Sequence, residues 1–119
     1  MKRSEDNVVL IRNKKFALGV IRLYDYLCEE KHEYVLSKQL LRSGTSIGAN
    51  IKEALRGQSK ADFGSKMNIA LKEASESEYW IELLGDSGKI MNDGAVSLLE
   101  DCRELIRLPT AIVKSTFKY

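Results

Sequence analysis

The segment from Leu36 to Arg56, LSKQLLRSGTSIGANIKEALR, carries three chemically distinct stripes when it is wound at helical spacing. Leu40, Gly44, Ile47, Ile51 and Ala54 recur at steps of three and four, and Leu41, Gly48 and Leu55 widen that apolar line. Residues at such steps share one face of a helix. One position back, Gln39, Ser43, Ser46, Asn50 and Glu53 form a polar line. A further step back, Lys38, Arg42, Lys52 and Arg56 form a basic one, with Thr45 and Ala49 between them. A single helix here would therefore present a core face, a polar boundary and a charged exterior.

A loop is the competing reading, because Ser43-Gly44-Thr45-Ser46 and Gly48 are turn-like in composition. Each glycine inside a helix costs about 1 kcal/mol relative to alanine. The register of Leu36, Leu40, Ile47, Ile51 and Leu55 stays in phase across the weak stretch, which a loop of arbitrary length would not preserve. A continuous helix is the prediction. Gly44 and Gly48 then lie four apart toward the buried side, where their missing side chains let another backbone approach closely.

Three further helices follow from the same periodicity. The first is expected to start near Asn13 as N-cap and to carry Phe16, Val20, Leu23 and Leu27, with Ala17, Ile21, Tyr24 and Cys28 as a parallel stripe; Asn7 to Arg12 could be an added turn or an extended arm. Glu30 to Glu33 is a connection so short that the first two helices must pair as an antiparallel hairpin. After Gly57, Ser59-Lys60-Ala61-Asp62 resembles a capping box that opens a third helix, on which Phe63, Met67, Ala70, Ala74, Ser77, Ile81 and Leu84 keep a three-four alternation up to Gly85 or Gly88. Asn92 is the expected cap of a fourth helix with Val96, Leu99, Cys102, Ile106, Ile112 and Val113 on one side. Pro109 is expected to kink it or to split off a short final helix. No sustained period-two pattern appears. The predicted fold is all-α, an up-down-up-down antiparallel four-helix bundle in one domain, residues 1–119. Apolar residues on the flanks of the last three helices predict self-association into a closed homo-oligomer.

At 119 residues the chain can bury roughly two-thirds of its unfolded surface in one core. The charged opening Met1 to Asn7 is followed by only four strongly apolar residues, Val8 to Ile11, too few for a secretory core or a membrane span, so a cytoplasmic protein without membrane association is expected. Cys28 and Cys102 fall on apolar faces and read as reduced packing residues. Net charge is +2, but 12 basic and 7 acidic side chains up to Lys60 (+5) contrast with 7 basic and 10 acidic beyond it (−3). The basic surface is local.

Catalytic and metal chemistry find little support. Bundles that bind two metals use glutamates with Glu-x-x-His motifs; the lone histidine, His32, follows Glu29 but sits in the expected turn. Glu73, Glu76, Glu78 and Glu82 crowd the third helix without a histidine, nucleophile or phosphate loop nearby in sequence, which suits ion pairing, with Glu73 or Glu76 reaching Arg42. Ser43, Ser46 and Asn50 suit hydrogen bonding between helices. No enzyme and no cofactor are expected. Lys38, Arg42, Lys52 and Arg56, with Lys60 just beyond and Lys14, Lys15 and Arg22 on the first helix, could instead follow a phosphate backbone. A basic stripe on an amphipathic helix is also simply its wet face.

Gln39-Leu40-Leu41-Arg42-Ser43, Ser46-Ile47, Ala49-Asn50-Ile51 and Glu53, followed by Phe63, Ala70, Glu73-Ala74, Glu76, Trp80 and Leu84, resemble the signature of the 23S rRNA intervening-sequence proteins. The resemblance spans nearly the whole chain. It implies a small bacterial four-helix-bundle protein that assembles as a homopentameric barrel and is not catalytic. A related branch accompanies the reverse transcriptase of diversity-generating retroelements, so the resemblance also implies RNA or DNA binding through a basic surface, and a protein partner such as a reverse transcriptase. Two functions stand side by side: a nucleic-acid-binding accessory protein, or an assembly and partner-docking scaffold whose basic stripe is only solvated.

Overall fold

The computed structural model describes residues 4–117; Met1 to Arg3, in the charged opening, and the last two residues lie outside the described residues. Four helices account for almost all of them: α1 (Ser4–Glu30), α2 (Leu36–Leu55), α3 (Lys60–Asp86) and α4 (Asn92–Phe117), and no strand occurs among the described residues. A helix of 27 residues is about 40 Å long. The molecule measures 44 × 21 × 20 Å, so α1, α3 and α4 run nearly its full length around a shared core.

The doubtful segment of α2 is helical throughout, and its apolar line is the buried one: Leu40, Gly44, Ile47, Ile51 and Ala54 are all buried. The glycines are where α1 comes close. A Cβ built on Gly44 would stand 3.1 and 3.2 Å from the two methyls of Val20, and one built on Gly48 would stand 3.3 Å from the Cβ of Asn13. Against α3, the Ser43 and Ser77 hydroxyls meet at 2.8 Å inside the core, and further along α2 Glu53 meets Lys66 at 3.0 Å. Met67, Ala70, Ala74, Ser77, Ile81 and Leu84 of α3 are buried as their spacing required.

Helix ends show which local signals operate. The loop before α2 is capped by Glu33, whose carboxylate accepts from the backbone N–H groups of Val35, Leu36 and Ser37 at 3.2, 3.0 and 2.7 Å. These are three of the donors that the first turn leaves without a carbonyl. His32 supplies the reversal there at φ 51°, the left-handed region. Ser59 caps α3 through Asp62 N–H at 3.1 Å, as the capping-box pattern predicts. Gly88, at φ 77°, ends α3 while the N–H groups of Lys89 and Ile90 return to the Leu84 carbonyl.

Several sequence expectations are corrected. Asn13 is no cap. It lies deep inside α1, 3% exposed, with its amide nitrogen donating back to the Val9 carbonyl at 2.7 Å, because the side-chain-free stretch at Gly48 makes room for it. Residues 7–12 are therefore helix, not arm. Asn92 is the first residue of α4, not its cap: the Met91 carbonyl, just before it, accepts from Ala95 N–H. Pro109 neither splits nor ends α4; it is buried within one continuous helix, and Thr110 Oγ1 donates to the Ile106 carbonyl in the same turn. The buried face of α4 is Ala95, Cys102, Leu105, Pro109 and Ile112, so Val96 is 54% exposed and Leu99 and Ile106 sit at the flank. Ala95 occupies the inner position because its methyl fits against Gly85, 3.0 Å from where a Cβ would be. Ile21, expected in a buried stripe, is 41% exposed.

Candidate nucleic-acid interface

At 3.6 residues per turn, Lys38 and Lys52 on α2 and Arg56 at its C-cap lie within about 40° of one another and span about 27 Å along the helix axis. All three are exposed and have no ion pair among the described residues. Lys52 and Arg56 line an open groove of about 570 Å³ with Lys66 from the first turns of α3, and Glu53 and Asp62 are its acidic members. Lys66 was not legible in the α2 pattern, since no spacing within one helix announces a cation delivered by the next. Its charge is shared with Glu53, at 3.0 Å.

Arg42 belongs to a different structure. Its guanidinium bonds Glu73 at 3.1 Å and also Glu76, whose carboxylate accepts from Trp80 Nε1 at 2.9 Å. The pairing with both carboxylates matches the contact expected from the sequence, and it removes Arg42 from the free cations of α2. Beneath it, Ser77 Oγ also donates to the Glu73 carbonyl. Ser43 makes the expected bond between helices, but Ser46 and Asn50 bond carbonyls of their own helix, those of Arg42 and Ser46. Position explains the difference: Ser43 is buried against α3, whereas Ser46 and Asn50 are half-buried and fold back onto their own preceding turn.

The remaining candidates are scattered. Lys60 sits at the start of α3 with Nζ 6.0 Å from the centre of the Phe117 ring of α4. Lys14, Lys15 and Arg22 are exposed on α1, but Lys15 borders a depression shared with Asp101 and Glu104 of α4, so it faces acidic neighbours and not α2. What the fold brings together is the Lys52–Arg56–Lys66 cluster, with Lys38 further along the same face.

Of the α3 carboxylates, Glu73 and Glu76 hold Arg42 and Glu78 holds Arg103 at 2.8 Å. His32 is exposed in the loop, its Nδ1 3.1 Å from the Tyr34 hydroxyl. Among the described residues no three metal-ligating side chains converge. Burial, with Glu78 nearby, pushes the Cys102 thiol up to about 12, and its sulfur points at the Ala74 carbonyl at 3.2 Å. A thiol in that condition is a packing group, since nucleophilic cysteines need the thiolate. No helix among the described residues is long and apolar enough to cross a membrane.

The geometry defines an all-helical protein whose most elaborated interface joins α2 to α3. Leu40, Ser43, Ile47 and Ile51 of α2 and Ala70, Ala74 and Leu84 of α3 are buried in the core, and Arg42, Glu73, Glu76 and Trp80 form a network at that interface. A family model, the 23S rRNA-intervening sequence proteins, matches residues 5–111, and the chain belongs to that family. A crystal structure from Bacteroides thetaiotaomicron, described as a protein of unknown function from the S23 ribosomal protein family, is similar at 50% identity. The similarity covers 92% of this chain and 98% of that one, with a TM-score of 0.91. No curated protein matches.

Proposed function

We propose that this chain is a non-enzymatic nucleic-acid-binding accessory protein, a single-domain antiparallel up-down-up-down four-helix bundle that works in the cytoplasm as a ring-like homo-oligomer, most simply a pentamer. The observation that carries the binding reading is the exposed face of Lys38, Lys52 and Arg56, which have no ion pair among the described residues, joined across the groove by Lys66. The antiparallel reading is supported by the order of contacts: Ser43 pairs with Ser77, and Glu53, ten residues later, pairs with Lys66, eleven earlier. Self-association, expected from the flanks of the last three helices, is supported there by Ile69 and Val96 but, among the described residues, by no exposed large apolar residue of α2. It is supported more strongly by α1, where Ile11 is 69% exposed and Val8, Leu18 and Ile21 are exposed. Pairing of Glu73, Glu76 and Glu78 with arginines supports a structural role for the carboxylates. In a ring, several modest cationic faces would add to one field strong enough to hold phosphates.

The test titrates labelled RNA and DNA against the wild-type protein and a Lys38→Gln, Lys52→Gln, Arg56→Gln variant at low and physiological salt. Every phosphate that the variant no longer neutralises should reduce the steepness of log affinity against log salt by about 0.7 for single strands and about 0.9 for duplex DNA. Saturable binding with a shallower salt dependence in the variant is the expected result. No saturable binding at low salt, or identical binding by the variant, would leave the docking scaffold, with a protein partner such as a reverse transcriptase, as the better reading. Light scattering reads the oligomer directly, and a monomeric mass at micromolar concentration ends the ring.

A further inference from the structure

On the far side of α3 from α2 lies a second cationic surface that the charge count conceals, because the chain beyond Lys60 is net acidic. A groove of about 630 Å³ between α3 and α4 is lined by Arg103, Arg107 and Lys114, with Glu78 as its acidic member and with Ile106 and Ala111 supplying apolar surface. Past Ser75 the depression continues along α3 to Leu71 and Lys72. We propose that this groove docks an acidic, amphipathic helical segment of a protein partner.

Charge complementarity selects the occupant. Glu78 holds Arg103 through Nε, leaving both terminal guanidinium nitrogens available, and Glu104 holds Arg107 through Nε and Nη2, leaving Nη1. Arg103 is therefore oriented with both terminal nitrogens open to bidentate capture of an incoming carboxylate, while Arg107 offers one nitrogen. Lys72 and Lys114, which have no ion pair among the described residues, and the open nitrogens of the paired Arg103 and Arg107 thus flank a strip made by Leu71, Ile106 and Ala111. A sugar-phosphate backbone has no use for that apolar strip, whereas a helix with one apolar stripe between acidic flanks fills both parts. From Arg103 to Lys114 the groove offers about 16 Å, three helical turns.

The probe is a fluorescently labelled, helix-stabilised peptide of about four turns with leucines on one face and glutamates on both flanks. A peptide of the same composition with its leucines dispersed, and a labelled oligonucleotide, are run beside it. The full chain is compared with Ala111→Glu, an exposed position whose far-UV circular dichroism should not change, with Arg107→Gln/Lys114→Gln, and with Lys52→Gln/Arg56→Gln. Binding of the amphipathic peptide should be saturable and weakened at least about tenfold by either groove variant and by dispersing the leucines. The α2 variant should leave it within about twofold while reducing oligonucleotide binding, so this surface and the nucleic-acid reading fail independently. Absence of saturable peptide binding, indifference to Ala111→Glu, or loss of oligonucleotide binding in the groove variants would overturn the proposal. A changed oligomeric mass for Ala111→Glu would also overturn it, by assigning the groove to a second copy of the chain.

Discussion

Replacing Gly44 by alanine sets two opposed energies against each other at one position of α2. In an exposed helix interior the exchange is worth about 1 kcal/mol in favour of alanine. At Gly44 the new methyl would meet Val20 Cγ2 at 3.1 Å, Val20 Cγ1 at 3.2 Å and the Phe16 ring at 3.5 Å. Both methyls of Val20 are in the way and the residue is 1% exposed, so rotation about χ1 brings one methyl in as it takes the other out. Overpacking of that kind costs about 1–3 kcal/mol. The net expectation is a loss of up to about 2 kcal/mol, or a fall in Tm of several degrees for a chain of this size. Gly19 is the internal control. It lies mid-helix in α1 with nothing within 4 Å of a built Cβ, so Gly19→Ala should stabilise by about 0.5–1 kcal/mol. Urea unfolding followed by far-UV circular dichroism measures both, and a Gly44→Ala, Val20→Ala double variant should show a favourable coupling of about 0.5 kcal/mol or more as the clash is relieved. If Gly44→Ala stabilises as much as Gly19→Ala, the close approach of α1 and α2 at this point is wrong.

Two more expectations concern charged groups. Burial by itself would raise the Glu33 carboxyl, but hydrogen bonds from the N–H groups of Leu36, Ser37 and Val35, with the Ser37 side chain, hold it below its ordinary value of 4.5. A depressed folded value stabilises the protein above 4.5 and is lost as pH falls through the lower folded value, so Glu33→Gln should cost about 0.5–2 kcal/mol at neutral pH and progressively less in acid; a gap between variant and wild type that stays constant with pH would contradict this cap. Arg42→Gln should destabilise by about 0.5–1.5 kcal/mol, discounted because the side chain is 49% exposed, while Lys38→Gln changes stability by less than about 0.5 kcal/mol. Equal effects on thermal melts would mean that the bonds to Glu73 and Glu76 do not hold α2 to α3.

The stripes of α2 could be read from the chain because each depends only on steps of three and four within one segment. The same holds for α3 and for the Ser59 cap, whose partner is three residues away. Local periodicity also put Lys38, Lys52 and Arg56 on one exposed face. A few contacts between helices were also expected, the Arg42 pairing with Glu73 and Glu76 and the close approach at Gly44 among them, but most of what requires a second helix was decided elsewhere. Arg42 has the same spacing as its basic neighbours, yet the carboxylates of α3 claim it. Asn13 looks like a cap until Gly48 opens a niche for it, and the inner face of α4 shifts to Ala95 because Gly85 accepts a methyl there. Lys66 joins Lys52 and Arg56, and Arg103, Arg107 and Lys114 gather into a cationic groove within a stretch whose total charge is acidic. Sequence by itself determined that α2 and α3 bury one stripe each and which residues make it, since that follows from hydrophobicity and a fixed number of residues per turn. Tertiary structure alone decided which charges are neutralised and which remain available, because an ion pair forms between atoms a few ångströms apart, and that distance is set by how the helices pack and not by their order in the chain.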